Sequence, residues 1–424
     1  MGYDGWRDRK GSQRVPTSVR DLIAERFAGL DPRNPQYAVE VVDRVLAAGR
    51  ELGASDVHLQ PAAEGVELRY RIDGVLQPAG LFPSALAPNI VARLKVQADL
   101  LTYRTDMPQE GRIRAPAGDI EMRVSTFPTL FGEKAVVRFF AGSGQFRRLD
   151  DLGLPKDVLA RLRQLLAETS GAIFATGPAG SGKTTTIYAC LRELVTQGGG
   201  RSLVSLEDPI EMPVPGVAQA QVNANVGFDL ATGLRFLMRQ DPEVIMVGEV
   251  RDRDTAETAF QGALTGHLLL STFHAGSAAE AIGRLSDMGI EPYLLRSGVL
   301  AILNQRLVRR LCTCARATAE PAERLGLPVE QVYVPVGCQQ CGGTGYRHRL
   351  LLAEMLTPER TELGRAILSR SDTATLEALA VQAGMATRWQ RAYDAVRTGL
   401  TSPAEVRRVL GFSDQPTVER RQGS

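Results

Sequence analysis

The sequence predicts an α/β fold: a buried, mainly parallel sheet bearing a phosphate-binding loop, preceded by a smaller α+β domain and followed by a helical, cysteine-containing region. Three observations carry this. Gly177-Pro178-Ala179-Gly180-Ser181-Gly182-Lys183-Thr184 is a complete GxxxxGK[ST] loop between an apolar run and a segment of helical character. From Leu154 onward, helices alternate with short, wholly apolar strands, the pattern of a buried parallel sheet. Before that point, amphipathic helices are mixed with strands of alternating polarity, the pattern of an α+β domain.

Residues 1–36 are polar and rich in Gly, Arg, Asp and Pro, with one amphipathic stretch around Leu22 to Leu30; they are expected to form a flexible arm. Residues 37–141 make the α+β domain. Val41, Val42, Val45 and Leu46 mark a helical face, and Asp56 to Gln60 and Val66 to Ile72 alternate as strands. An Asp73-Gly74 turn leads to Val75 and Leu76. A helix carrying Val91, Leu94, Leu100 and Leu101 follows, then strands at Ile120, Met122 and Val124 and at Lys134 to Phe140. Residues 142–153, opening on Gly142-Ser143-Gly144, are a linker. The nucleotide-binding core spans 154–310, with strands at Ala172 to Thr176, Leu203 to Leu206, Val244 to Val247 and Leu268 to Thr272. Residues 311–350 hold four cysteines, and 351–424 are expected to be helical.

Ligands of such sheets bind outside the carboxyl ends of the strands. The polar residues ending these strands should therefore converge on the loop: Glu207-Asp208-Pro209-Ile210-Glu211, Gly248-Glu249-Val250-Arg251-Asp252 and His274. Gly177 through Thr185 are assigned to nucleotide binding: backbone N–H groups meet the phosphates, Lys183 adds a point charge, and the Thr184 hydroxyl ligates Mg²⁺. The alternative is a Gly-rich helix-entry turn. Phosphoryl transfer needs carboxylates to hold metal or orient water and positive groups to stabilise the moving phosphate, and both are present at the strand ends.

Composition names no partner. The 424 residues, 44% apolar, suffice for two to three domains. Of the 50 basic residues five are lysines, leaving 45 arginines; against 48 acidic residues the net charge is only +2, so no nucleic-acid partner is expected. No apolar run reaches the roughly 18 to 20 residues that span a bilayer, and no apolar signal core follows the first charges, so a cytoplasmic chain with reduced or metal-bound cysteines is expected.

Beyond the loop, the chain resembles the secretion ATPases of type II secretion systems and type IV pilus assembly, the GspE/PulE/PilB type. The resemblance runs over about residues 37 to 410. It is carried by Ala54 to Pro61 (ASDVHLQP), Arg71 to Leu76 (RIDGVL), Pro108 to Ile113 (PQEGRI), Arg123 to Thr126 (RVST), Leu206 to Glu211, Met238 to Asp252 and Thr265 to His274. It implies a RecA-like core, a PAS-like N-terminal domain of the N2 type, and a hexameric, ATP- and Mg²⁺-dependent motor that drives pilus or pseudopilus assembly through an inner-membrane platform protein, with which it associates peripherally. It implies that Glu207 orients the attacking water, that Glu249 stands at the Walker B position, and that His274 lies near the γ-phosphate or Glu249, with His267 a weaker candidate. Arg112 and Arg123 match arginines that the family's N-terminal domain presents to nucleotide; the alternative is a solvated strand face. Gly248 stands where many P-loop enzymes carry aspartate, and Glu243 replaces the aspartate common after that proline.

Cys312-Thr313-Cys314 and Cys338-Gln339-Gln340-Cys341 offer four thiolates in two close pairs, which suits tetrahedral Zn²⁺. The resemblance implies the same site, with a first pair normally spaced CxxC rather than CxC; reduced buried thiols are the alternative. Because retraction motors lack this segment, secretion or extension is favoured. Cys190 is expected to serve packing alone. Two further readings are a RecA-like conjugative or DNA-translocating ATPase and a nucleotide-binding scaffold that does not hydrolyse; the aspartate and histidine boxes weigh against the first, Glu207 and Glu249 against the second.

Overall fold

The computed structural model describes residues 18–31, 33–113, 122–139, 148–358 and 362–412. These divide into two compact units, one from the described residues within Met1–Gly142 plus Arg309–Ala317 and Val334–His348, the other from those within Ser143–Val308, Thr318–Tyr333 and Arg349–Ser424.

In the first unit, α1 (Val19–Phe27) begins with a reciprocal cap: the Asp21 N–H donates to Ser18 Oγ (3.2 Å) and the Ser18 N–H to Asp21 Oδ2 (3.0 Å). Val19, Ile23 and Phe27, one helical turn apart, are buried, with Phe27 5.5 Å from the Phe82 ring. This part of the arm expected to be flexible is a packed helix. Next come α2 (Tyr37–Glu51), β1 (Asp56–Ala62), β2 (Gly65–Ile72), β3 (Val75–Pro83), α3 (Ala87–Gln97), β4 (Gln109–Ile113), β5 (Met122–Thr129) and β6 (Gly132–Phe139). The strands form an antiparallel sheet in the order β3-β2-β1-β6-β5-β4. Its odd-numbered β1 residues, Val57 and Leu59, join Val41, Val45, Ile90 and Leu94 of the helices in one core, and the Tyr70 hydroxyl donates to Val45 O (2.9 Å). Leu100 and Leu101, expected on α3, lie past its end, where Asp99 takes φ 56°. Ile120, Phe140, the Gly142-Ser143-Gly144 linker and residues 1–17 and 413–424 lie outside the described residues.

The second unit contains α4 (Lys156–Leu166), β7 (Gly171–Thr176), α5 (Lys183–Thr196), β8 (Leu203–Glu207), β9 (Ala218–Gln221), α6 (Leu230–Leu237), β10 (Val244–Val247), α7 (Arg253–Leu264), β11 (Leu268–Phe273), α8 (Ala278–Asp287) and α9 (Pro292–Gly298). There follow β12 (Val299–Leu311), the short β13 (Arg316–Thr318) and β14 (Val332–Val334), and β15 (Tyr346–Leu356), each with residues in both units, and then α10 (Glu362–Leu368), α11 (Thr373–Gln382), α12 (Arg388–Arg397) and α13 (Pro403–Leu410). The main sheet runs β15-β12-β7-β11-β10-β8-β9, parallel from β12 to β9. Alternate residues enter two cores. Ala172, Phe174, Ile245 and Leu269 face α6, α7 and α8, whereas Ile173, Ala175, Met246 and Leu270 face α4 and α5. Two-sided burial is the reason these strands are apolar throughout.

Two strands depart from expectation. Val299–Leu311 and Tyr346–Leu356 extend the sheet, so the region after residue 350 begins as a strand and becomes helical only from Glu362. Polar interruptions hide both: Asn304-Gln305-Arg306 in one, Arg347-His348-Arg349 in the other.

Candidate nucleotide site and cysteine cluster

The phosphate loop joins the end of β7 to α5. Gly177 has φ 141°, and a Cβ there would stand 2.5 Å from Gln305 O and 2.6 Å from Ser181 Oγ, so only glycine fits. The 14-residue α5 points its unsatisfied N–H groups and positive dipole end at the loop, a site for an anion. Ser181 Oγ is buried with no partner among the described residues, as a donor awaiting a ligand would be. Thr184 is half-buried in the first turn, Thr185 is exposed, and Pro178, Ala179 and Gly180 form the exposed crest.

Lys183 Nζ donates to Gly177 O (3.0 Å) and Pro178 O (3.1 Å) and lies 3.4 Å from His274 Nδ1. Burial holds its ammonium below the ordinary lysine range, with Glu249 pulling upward and Arg306 pushing down. His274 follows β11, placing Nδ1 3.0 Å from Gly177 O and Nε2 3.1 Å from Glu249 Oε1. Both oxygens are acceptors, so both contacts are hydrogen bonds only when each ring nitrogen carries a proton. Glu249 is held from its other side by Arg251 Nε and Nη2 (both 2.7 Å). Lys183, His274, Glu249 and Gly177 thus form one cluster spanning the ends of β7, β10 and β11.

Glu207 stands apart from that cluster. At 2% exposure it accepts from the Tyr188 hydroxyl, from Ser205 Oγ (2.6 Å) and from Gln219 Nε2 (3.0 Å). Burial, then the bond to Glu207, raises the Tyr188 phenol well above its ordinary value, so the phenol remains a donor. His267 sits at the opposite end of β11, its Nδ1 2.9 Å from Gly262 O. Cys190 is buried in α5, its thiol pushed up to about 12 by that burial.

In the first unit, the face of the sheet away from its helix-packed core carries a transverse row of directly opposed residues: Arg71, Asp56, Arg138, Arg123 and Arg112, on β2, β1, β6, β5 and β4. Buried Asp56 holds Arg138 Nε (2.9 Å) and Arg71 Nε (3.3 Å), and Arg123 pairs with Glu110. Burial, then the Arg71 charge, holds neighbouring His58 below its ordinary value. Arg112 and Arg123 were legible as candidates; Asp56 and Arg138 were not, because only strand register aligns them.

The four cysteines converge. Their sulfurs all lie within 4.8 Å of one another, with Sγ–Sγ distances of 3.8 Å (Cys312–Cys338), 3.9 Å (Cys314–Cys341) and 3.7 Å (Cys338–Cys341). Tetrahedral thiolates at about 2.3 Å from zinc are about 3.8 Å apart, so the set fits that ion. The N–H groups of Cys338 (3.1 Å) and Gly345 (3.2 Å) donate to Cys341 Sγ; burial raises that thiol, but these bonds outweigh it and bring it below its ordinary value. The backbone N–H of Cys314 brings Cys312 down to about 7, while burial takes Cys314 up to about 11.

The sheet order and the loop between β7 and α5 define a RecA-like P-loop protein. The chain belongs to the type II/IV secretion system protein family, whose model matches residues 33–408. It is 36% identical over 381 residues to the type IV pilus assembly ATPase PilB of Thermus thermophilus, covering 87% of this chain and 42% of that one. It is 37% identical over 397 residues to the type II secretion system protein E of Klebsiella pneumoniae, covering 92% and 78%. The chain thus spans less than half of the first relative and about three quarters of the second. A crystal structure of the pilus retraction motor PilT with bound ADP superposes with TM-score 0.60 at 25% identity, covering 90% of this chain and 99% of that one. Among the described residues, no helix is long and apolar enough to cross a membrane.

Proposed function

We propose that this chain is an ATP-hydrolysing motor that powers pseudopilus or type IV pilus assembly, acting as a hexamer on a platform protein at the cytoplasmic side of the inner membrane. The observation that carries the reading is the His274 bridge, which joins the phosphate-loop carbonyl of Gly177 to Glu249 beside Lys183. Lys183 binds the outer phosphates once it exchanges its carbonyl partners for them, a gain that favours its charged form. His274 donates toward the transferring phosphate and reports its presence to Glu249. Thr184 and Glu249 offer the oxygen ligands that Mg²⁺ prefers, and when bound this ion would neutralise charge between the outer phosphates. Glu207 orients the attacking water after release from its three donors, and Arg112 and Arg123 supply positive charge for the transition state. Cys312, Cys314, Cys338 and Cys341 hold zinc as a structural site.

Steady-state ATP turnover of the purified full chain tests the reading. Mg²⁺-dependent hydrolysis that is lost in Glu249→Gln, with nucleotide affinity retained, is expected. A chain that binds ATP without turning it over, alone and with membrane extracts containing its assembly machine, would overturn it in favour of a scaffold.

A further inference from the structure

Three consecutive residues of β12, Asn304, Gln305 and Arg306, are buried at 1%, 0% and 9% exposure, in a sheet whose neighbouring strands bury apolar side chains. Burying such groups without partners is costly, and apart from Gln305 Oε1, which has none among the described residues, their partners show what they are for. Asn304 Nδ2 donates to Thr176 Oγ1 (3.0 Å), the last residue before the phosphate loop, and to Ala275 O (3.1 Å). Gln305 Nε2 donates to Thr186 Oγ1 of α5 (2.8 Å). Arg306 Nη1 donates to Asn304 Oδ1 (3.2 Å) and Gln305 O (3.0 Å), and its Nη2 to Gly276 O (2.6 Å). The triplet therefore grips the entry and the exit of the phosphate loop and the two carbonyls that follow His274. Its guanidinium also backs the loop, lying 3.2 Å from the place a Cβ on Gly177 would occupy.

We propose that Arg306, acting with Asn304, is a positioning residue for His274: it fixes the Ala275 and Gly276 backbone against the phosphate loop and so sets where the imidazole stands between Gly177 O and Glu249. Its consequence for rate rests on the motor reading; its consequence for the geometry of His274 does not. An apolar strand would pack here without ordering that backbone, because directional bonds to two successive carbonyls are what hold it. Lysine cannot replace the arginine, since one ammonium does not reproduce a planar fork aimed at Asn304, Gln305 and Gly276 together.

The test uses the full chain, with Arg306→Gln, Arg306→Lys, His274→Gln and the Arg306→Gln/His274→Gln double variant. Turnover in Arg306→Gln should fall about 10- to 100-fold, the usual cost of losing an outer partner of a reacting group, with ATP affinity changed by less than about threefold. Arg306→Lys should not restore it. In the His274→Gln background the same change should cost little, because its route of action is already gone. The chain has four histidines, so ring NMR signals can be assigned one substitution at a time. His274 should shift in Arg306→Gln and Arg306→Lys, while His58, His267 and His348 stay in place. Additive losses in the double variant, or an unmoved His274 signal, would overturn the proposal. If Arg306→Gln does not fold, the charge-preserving Arg306→Lys carries the same comparison. An unsubstituted chain without turnover would count against the motor reading, and the His274 signal alone would then decide the positioning role.

Discussion

The phosphate loop and the cysteine cluster are both small cages of converging groups, yet the surrounding protein holds them differently. The loop is braced by the protein. It leaves a fully buried strand, enters a 14-residue helix, and has Lys183 and His274 tied to its carbonyls before any anion arrives. The cysteines sit on short turns and strand ends, with Cys314 and Cys338 half-buried, and among the described residues the apolar clusters are built without them. A cage braced by its scaffold loses chemistry when a member is removed and keeps its fold. One braced by its ion loses fold.

The largest effect expected from this contrast is chemical. Lys183→Ala should abolish ATP turnover, a loss of about 10³-fold or more for a charge acting on the transferring group, while thermal unfolding stays within a few degrees of the parent. Unfolding that collapses with the charge would show that the loop, too, depends on its own side chains for shape. Next comes the question of whether the core's cage is complete by itself. Arg112→Ala and Arg123→Ala should each cut turnover by roughly 10²- to 10³-fold and leave nucleotide affinity nearly unchanged, because a transition-state cation is worth little in the ground state. Unchanged turnover in both would return the arginine row to solvated surface.

For the cysteines the expected effect is on stability. The purified protein should carry one zinc per chain, and Cys338→Ser should lose it and weaken the knuckle formed by the two cysteine-bearing turns by several kcal/mol, since metal binding there is also folding. Metal analysis under reducing conditions and hydrogen exchange across residues 309–317 and 334–348 read the two together. A metal-free chain whose knuckle is protected and indifferent to chelator would mean buried thiols suffice.

How much was legible in the sequence follows the same division. The four central strands could be read because two-sided burial makes each an uninterrupted apolar run ending in polar residues, and the cluster of Lys183, Glu249 and His274 could be read because each belongs to a local motif at a strand end. What escaped depends on partners distant in sequence. Helix α1 has only a sparse apolar stripe, and it is ordered because Phe27 finds Phe82. Tyr188 and Gln219 reach Glu207 from 19 and 12 residues away, and the arginine row exists only through strand register. The Asn304-Gln305-Arg306 triplet did carry a local signal, three polar residues inside an apolar stretch, but polarity there argues against a buried strand until the carbonyls it serves are known.

The smallest effect tests whether the knuckle receives any bracing from its surroundings. Asp73, at φ 49° in the turn between β2 and β3, accepts from the His348 N–H (2.9 Å) where the chain leaves the cysteine segment. Glycine tolerates that backbone conformation, so Asp73→Gly removes the bond without adding strain. Its loss should cost about 1 kcal/mol or less, the usual net worth of one hydrogen bond, seen as faster exchange of the His348 amide, with zinc content unchanged. Asp73→Asn, which keeps an acceptor but not the charge, should fall between glycine and the parent. If Asp73→Gly instead releases the metal, the knuckle is braced by the N-terminal sheet much as the phosphate loop is braced by its own, and the contrast between the two cages becomes one of degree.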